Sequence, residues 1–199
     1  MTPTKHIGVF LYDQVEPLDF VGAYQTFASV RRIRPGSVEL FTFALRRQPI
    51  TCVNGLIVTP ECTFGDISQV DVLIVPGGEG RRVPMANPMI LSNLNKLFEK
   101  CEFILGVSTG AFILAAAKLL RGRQATTHWL ALKEFQQRED LIPTSGKIVR
   151  AGRVLTCAGS SLGIDTALYV IKEVYGQHLA HEARVLMEHH HPEVSVSIF

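Results

Sequence analysis

Short apolar segments alternate along the chain with longer segments in which apolar residues recur every three or four positions. The first kind is typical of buried strands and the second of helices that pack on a sheet. We expect strands at 6–12, 38–44, 71–75, 103–107, 147–150 and 154–157. We expect helices at 18–32, 89–100, 111–120, 129–138 and 177–187, and one more helix that begins after a cap at Ser160 or Ser161. The alternation predicts an α/β protein with a mostly parallel sheet between two layers of helices.

Two connecting segments carry specific backbone signals. Asn54 and Gly55 lie between β-prone residues, which favours a two-residue hairpin and an antiparallel excursion from the sheet. The strand at 71–75 runs into a glycine-rich loop, in which Gly77 and Gly78 can bring their backbone N–H groups close to a ligand. Since parallel sheets bind ligands at the carboxyl ends of their strands, we expect this loop to border the site.

A polar residue, Ser108, lies where the strand at 103–107 meets the helix at 111–120. Gly106 and Gly110 flank it with minimal bulk, so the turn can be sharp and the amides at the start of the helix can face a developing negative charge. This pattern indicates a nucleophile elbow. The alternative is that Ser108 or Thr109 only caps the helix.

Length and composition favour one soluble domain. The chain has 199 residues, of which 47% are hydrophobic and 19% are charged, and its apolar runs are shorter than the ~20 residues that span a bilayer. We expect a single domain over 1–199, with a core at about 6–187 and a C-terminal tail at 188–199. The N-terminal segment lacks a signal-peptide pattern, which predicts a cytoplasmic location.

We recognise no sequence motif for binding a metal ion, a cofactor, a membrane or a nucleic acid. The four cysteines have no paired spacing, so buried free thiols are expected. Three consecutive histidines, His189, His190 and His191, cannot easily converge on one ion, and a solvated tail is the preferred interpretation. The net charge of +2 comes from scattered pairs without a sustained basic face, so direct nucleic-acid binding is not expected.

With these residues placed, the chain resembles the DJ-1/PfpI superfamily, which is related to class I glutamine amidotransferases and has a flavodoxin-like α/β/α sandwich. Within it, the resemblance is greatest to isocyanide hydratases and to the DJ-1/PfpI domains of AraC-type regulators. The matching segments span nearly the whole chain: EPLDFVG at 16–22, VLIVPGG at 72–78, GVSTGAF at 106–112, GRQATTHW at 122–129 and TCAGSSLGID at 156–165.

The resemblance implies a site and a reaction. Residue 108 matches the elbow nucleophile, which in isocyanide hydratases attacks the terminal carbon of the isocyanide before water releases an N-substituted formamide. Asp19 matches the acidic residue that handles the proton, and Thr109 matches the residue after the nucleophile. Glu16 is an alternative acid, and the position of His128 lies near the site in some members, although packing or capping is its expected role here.

The resemblance also marks a departure, because the family's elbow normally carries cysteine where this chain has Ser108. A helix N-terminus and a nearby partner can turn a thiol into a thiolate, whereas a serine hydroxyl needs a base that removes its proton during attack. Three interpretations follow. Serine replaces an original cysteine and the form is inactive, or serine is native and another base serves it, or catalysis has been lost and only the pocket is kept.

Two further functions compete with hydration. The first is a non-catalytic ligand-sensing domain, in which any effect on DNA would have to come from another polypeptide. The second treats the elbow as that of a serine hydrolase, with Asp165 and either His178 or His181 completing a triad. The resemblance implies a homodimer that binds a small molecule, and the apolar stripe on the helix at 18–32 fits either an interface or core packing.

Overall fold

The computed structural model describes residues 3–190 and 192–199 of the chain. Its strands are β1 Lys5–Phe10, β2 Val38–Ala44, β3 Ile50–Thr51, β4 Ile57–Val58, β5 Cys62–Thr63, β6 Val72–Val75, β7 Phe103–Val107, β8 Gln124–Ala125, β9 Ile142–Pro143, β10 Ile148–Ala151, β11 Val154–Cys157 and β12 Val196–Ile198. Its α-helices are α1 Pro17–Ile33, α2 Arg82–Ala86, α3 Pro88–Lys100, α4 Gly110–Ala116, α5 Leu132–Phe135, α6 Leu162–Tyr175 and α7 Gln177–Leu186.

Eight strands form one sheet in the order β12-β10-β11-β7-β6-β1-β2-β5. All neighbours pair in parallel except β10 and β11, which pair antiparallel. Helices α1, α6 and α7 contact one another in one layer, and α2 contacts α3 and α4 in another. The predicted three-layer α/β/α sandwich with a mostly parallel sheet is therefore confirmed.

Several predicted boundaries are wrong. The helix expected at 111–120 ends at Ala116, because Lys118 adopts a left-handed conformation with φ of 64°. The segment expected as one helix at 129–138 begins with a 3-10 turn at Trp129–Ala131 and continues only as the four-residue α5. The antiparallel hairpin is present as β3 and β4, but five residues, 52–56, separate the two strands instead of two.

The C-terminal segment is more ordered than the predicted tail at 188–199. Residues of β12 pair with β10 and form the edge of the main sheet. The ring of His189 contacts Asp165, with 3.1 Å between Nε2 and Oδ1, so this histidine is not solvated as expected. His190 is exposed, and His191 lies outside the described residues. No helix in the described part of the chain is long and apolar enough to cross a bilayer.

Three adjacent central strands, β7, β6 and β1, carry the segments that matter for function. All three are parallel, so their carboxyl ends meet at one edge of the sheet. The residues after them lead to Ser108, to Gly77 and Gly78, and to α1 with Asp19. Fully buried side chains fix these strands from both faces, among them Phe10, Phe27, Phe43, Phe98 and Phe112.

Candidate active site

Ser108 occupies a strained turn between β7 and α4. Its φ of 54° lies in the left-handed region, which costs a residue other than glycine on the order of 1–3 kcal/mol. Two hydrogen bonds hold it there, because its N–H donates to the carbonyl of Cys157 at 2.9 Å and its own carbonyl accepts the Thr127 hydroxyl at 3.0 Å. The side chain is 6% exposed. This strained strand-to-helix turn has the form of a nucleophile elbow.

The two glycines beside the elbow are required by close packing. A Cβ atom on Gly110 would overlap the carbonyl oxygen of Val75, and one on Gly106 would lie 2.7 Å from Cδ1 of Leu114. Helix α4 can therefore begin directly against the end of β6. Thr109 is the N-cap residue of α4 but makes no side-chain capping hydrogen bond. The structure thus differs from the interpretation in which this segment only caps the helix.

Asp19 is fully buried on the first turn of α1. Its Oδ2 accepts the N–H of Gly77 at 2.8 Å, and its Oδ1 has no hydrogen-bond partner among the described residues. Burial raises the pKa of Asp19 to about 7, against the opposing effects of the Ser160 hydroxyl and the Gly77 N–H, and the charge of Glu16 raises it further. Near neutral pH this carboxyl can therefore either donate or accept a proton.

Gly77 brings Asp19 and Thr109 together. A Cβ atom at position 77 would lie 2.7 Å from Oδ2 of Asp19 and would overlap Oγ1 of Thr109, so the two side chains approach it closely. The N–H of Gly78 donates to Thr109 Oγ1 at 3.0 Å. Both glycine amides thus have partners within the protein, whereas the sequence suggested that they would be donors to a ligand. They position the acid and the elbow.

A cleft of about 390 Å³ opens above this arrangement, a volume typical of small-molecule sites. Its lining includes Ser108 and Thr109, whereas Asp19 and Gly77 lie beneath its surface. Most of the side chains around it are polar or charged. The lining residues are Glu16, Val53, Gly78, Glu79, Arg81, Ser108, Thr109, His128, Leu130, Ala131, Glu134 and Ser160.

The two remaining candidates lie on the cleft wall, each as a helix cap. Glu16, which the sequence analysis considered as an alternative acid, is the N-cap of α1, and its side chain accepts the N–H of Leu18 at 3.4 Å. His128 caps the 3-10 turn after it, with its Nδ1 accepting the N–H of Leu130 at 3.4 Å. Capping was the role expected for His128. Neither side chain contacts Asp19 through a hydrogen bond.

Sequence reasoning missed one wall of the cleft. Arg81 pairs with Glu134, with 2.7 Å between Nη2 and Oε2, and its guanidinium carbon lies 5.0 Å from the centre of the Phe112 ring. Ser160, beside Asp19, was also missed as a site residue. No local signal marks these side chains, because their partners are distant in the sequence; position 160 falls only within the matched segment at 156–165.

The serine-hydrolase triad is wrong in its geometry. Asp165 contacts His189, and His178 is exposed on α7 beside Glu182. Asp165 and His181 line a separate cavity of about 60 Å³ between α6, α7 and the C-terminal segment. Within the described residues, no side chain accepts a hydrogen bond from the Ser108 hydroxyl, so the elbow serine has no adjacent base.

None of the four cysteines is among the residues that line the cleft. Cys52, Cys101 and Cys157 are buried and Cys62 is half-buried, and all four are free. Burial raises the pKa of the Cys157 thiol to about 12, so the sulfur beneath the elbow stays protonated. Residues 3–190 and 192–199 contain no group of three or more His, Cys, Asp or Glu side chains that could hold a metal ion.

The fold and the elbow together define a class of protein, and the comparisons with known proteins agree. The model of the DJ-1/PfpI family matches residues 5–173, so the chain belongs to the DJ-1/PfpI family. It is 34% identical over 183 residues to an isonitrile hydratase of Pseudomonas putida, an alignment that covers 92% of this chain and 78% of that protein.

Two further relatives extend this result. The HTH-type transcriptional regulator CdhR of Pseudomonas aeruginosa is 28% identical over 165 residues, which cover 82% of this chain but only 48% of the regulator. The chain thus spans about half the length of that regulator. A crystal structure of a ThiJ/PfpI family protein from Pseudomonas syringae superposes with a TM-score of 0.85 at 28% identity, covering 96% of this chain and 77% of the other.

Proposed function

We propose that the cleft is the active site of an isonitrile-hydratase-like enzyme, in which position 108 is the nucleophile and Asp19 is the proton carrier. The observation that carries this proposal is the pairing of a strained elbow residue with a fully buried carboxyl whose pKa lies at about 7. Perturbed carboxyls below a cleft are typical of proton-transfer sites. The isonitrile hydratase relative supports the choice of reaction.

The hydration of an isonitrile needs one nucleophile and one group that both gives and takes a proton. The nucleophile forms a bond to the terminal carbon of R–NC while that carbon gains a proton, which yields an imidate or thioimidate bound to residue 108. Water then adds to the same carbon, the bond to residue 108 breaks, and R–NH–CHO leaves. A carboxyl that is half protonated near pH 7 suits both proton transfers.

Serine is the weak element of this mechanism. A hydroxyl must lose its proton during attack, and the carboxyl of Asp19 is already half protonated near neutral pH. Cysteine at the same strained position would ionise far more readily. We therefore expect low activity from the chain with Ser108 and much higher activity from Ser108→Cys.

The test measures formamide formation from an aryl isonitrile by the chain, by Ser108→Cys and by Ser108→Ala. The proposal predicts product above background for Ser108→Cys and none for Ser108→Ala. Substitution of Cys62 by serine is the matched control, because it changes a half-buried thiol on β5 away from the cleft. Background rates for both the chain and Ser108→Cys would refute hydration.

A second function is favoured by the missing base at Ser108 and by the regulator CdhR. In this proposal the cleft senses a small molecule without converting it. Trp129, the only tryptophan of the chain, is 72% exposed between the cleft residues His128 and Leu130, so its fluorescence should report binding. Ligand-dependent fluorescence without turnover in Ser108→Cys would favour sensing, and turnover would exclude it.

We also propose that two copies of the chain associate through α1. Leu18 and Val21 are 48% and 45% exposed on this helix, and Leu186 of α7 borders the same apolar groove. Burying this surface in a two-fold interface would remove it from water. Sedimentation of the chain and of Val21→Asp tests this, since the charge should convert a dimer to monomers; a monomeric parent chain would refute it.

A further inference from the structure

One peptide unit, Pro76–Gly77, connects two buried side chains. The Tyr12 hydroxyl donates to the carbonyl oxygen of Pro76 at 2.9 Å, and the N–H of Gly77 donates to Asp19 Oδ2 at 2.8 Å. The C=O and N–H of a trans peptide lie in one plane and point in opposite directions, so the two hydrogen bonds extend from opposite edges of that plane. Tyr12, the peptide and Asp19 therefore form one continuous chain of hydrogen bonds.

The tyrosine end of this chain is fixed in place. The Tyr12 side chain is 6% exposed and its ring packs on Phe10 with centroids 5.6 Å apart. Burial raises the pKa of Tyr12 well above its ordinary value, the charge of Asp19 raises it further, and Arg81 opposes both. The hydroxyl therefore stays protonated over the whole working pH range and remains a donor to Pro76.

We infer that Tyr12 is a positioning residue for Asp19 and acts through the Pro76–Gly77 peptide. A donor on the carbonyl polarises the peptide and strengthens its N–H as a donor, by roughly 10–30% for linked hydrogen bonds. A stronger donor stabilises the carboxylate form of Asp19 and lowers its pKa. The value of this arrangement for catalysis rests on the proposed function, whereas the hydrogen-bond chain does not.

Of the groups around Asp19, this peptide supplies the backbone donor, and the Ser160 hydroxyl opposes the effect of burial on the pKa of Asp19 more strongly. Glu16 faces it from α1 and disfavours the charged form, and Cys157 faces it from β11 as a neutral thiol. Ser160 contributes a hydroxyl from the loop before α6, and Arg81 acts on the tyrosine end. The Gly77 N–H is the backbone donor that Asp19 has, so a change in its strength should move the titration of the carboxyl.

The test follows the Asp19 carboxyl carbon by ¹³C NMR titration, assigned with Asp19→Asn. Tyr12→Phe removes the donor and should raise the titration midpoint by on the order of half a pH unit. Site-specific replacement of Tyr12 by 3-fluorotyrosine makes the hydroxyl a better donor and should lower the midpoint. Tyr175→Phe is the matched control, since that hydroxyl also donates to a buried backbone carbonyl, that of Ser37, at 2.8 Å.

Shifts of the Asp19 titration midpoint in opposite directions in the two Tyr12 variants support the inference, because a loosened structure would shift both midpoints in the same direction. An unchanged midpoint in folded Tyr12→Phe overturns it, and so does a rise with fluorotyrosine; if Tyr12→Phe fails to fold, fluorotyrosine alone decides. In Ser108→Cys, the pH midpoint of kcat/KM should follow the NMR midpoint. If the NMR midpoints move but no formamide forms, only the proposed function is refuted. If formamide forms but the midpoints do not move, only this inference is refuted.

Discussion

Two buried aspartates lie at opposite edges of the same sheet, and their pKa values move in opposite directions. At the carboxyl edge, Asp19 has one backbone donor from Gly77, and burial raises its pKa to about 7. At the amino edge, Asp71 is 9% exposed, and burial alone would raise its pKa as well. Hydrogen bonds from the N–H and ring of His6 and from Gln69 prevail there, and the pKa is lowered.

Burial raises the pKa of both carboxyls, and the hydrogen-bond donors outweigh burial at Asp71 but not at Asp19. At the amino edge, His6 and Gln69 donate hydrogen bonds to the carboxylate of Asp71, and Lys5 adds a positive charge nearby. At the carboxyl edge, Oδ1 of Asp19 and Nε of Arg81 have no hydrogen-bond partner among the described residues, and Ser108 is held in a strained conformation. Unsatisfied polar groups beside a strained residue are an arrangement often found at functional sites.

The largest expected effect separates the two aspartates by activity. In the Ser108→Cys background, Asp19→Asn should lower formamide formation by roughly 10²–10⁴-fold, because the amide cannot transfer the proton. Asp71→Asn should leave the rate within about twofold, since Asp71 lies at the other edge of the sheet. The measurement is kcat/KM for one aryl isonitrile at pH 7.

This comparison fails if the two variants lose similar activity. Equal losses would mean that folding, and not the chemistry of Asp19, limits the rate. Circular dichroism of each variant provides the folding control, and Glu16→Gln tests the alternative acid on the cleft wall. A large loss in Glu16→Gln with an active Asp19→Asn would transfer the proton role to Glu16.

The second effect is the pH dependence of stability. Asp19 titrates near 3.8 in the unfolded chain and at about 7 in the folded chain, so the folded chain binds more protons between these values. The contribution of Asp19 to the free energy of unfolding should therefore fall as pH rises from about 4 to 7, by at most about 4 kcal/mol, and level off above pH 7. Urea unfolding of the chain and of Asp19→Asn measures this, and the variant should gain relative stability toward pH 8.

The third effect has the opposite sign and concerns Asp71. Its pKa is lowered in the folded chain, so its contribution to stability is present above pH 3.8 and is lost as pH falls through the folded value. Asp71→Asn should lower the free energy of unfolding at pH 7 by about 1–3 kcal/mol, because His6 and Gln69 lose a charged acceptor. A difference that persisted unchanged at pH 2 would contradict this account.

The sequence predicted the elbow because its signals are local. Gly106, Ser108 and Gly110 follow an apolar strand within a few residues, and the alternating pattern determines where parallel strands end. The helix at 111–120 was overextended because Ala-rich composition does not reveal the left-handed Lys118 that ends it. Strand β12 was missed because it pairs with β10, more than 40 residues away in the sequence.

The finer parts of the site depend on contacts that no local pattern encodes. Tyr12 reaches a carbonyl 64 residues along the chain, and Arg81 pairs with a glutamate 53 residues away. The glycine amides were expected to face a ligand, but a glycine-rich loop does not reveal which partners its N–H groups find. Asp165 was considered for a triad because it follows the elbow serine in the chain; its partner in the structure, His189 at 3.1 Å, lies in a segment interpreted as a solvated tail.

The smallest expected effect tests the strain that distinguishes the carboxyl edge. Ser108→Gly should raise the free energy of unfolding by about 0.5–1 kcal/mol, because glycine adopts a φ of 54° without the steric cost that serine bears. Ser37→Gly at the amino edge should lower it, since Ser37 has no positive φ and its hydroxyl donates to the Arg34 carbonyl at 2.6 Å. Urea unfolding at pH 7 compares the two, with Ser108→Ala as the variant that keeps the strain. If Ser108→Gly and Ser108→Ala were equally stable, the elbow would store no strain and the two edges would differ only in their hydrogen bonds.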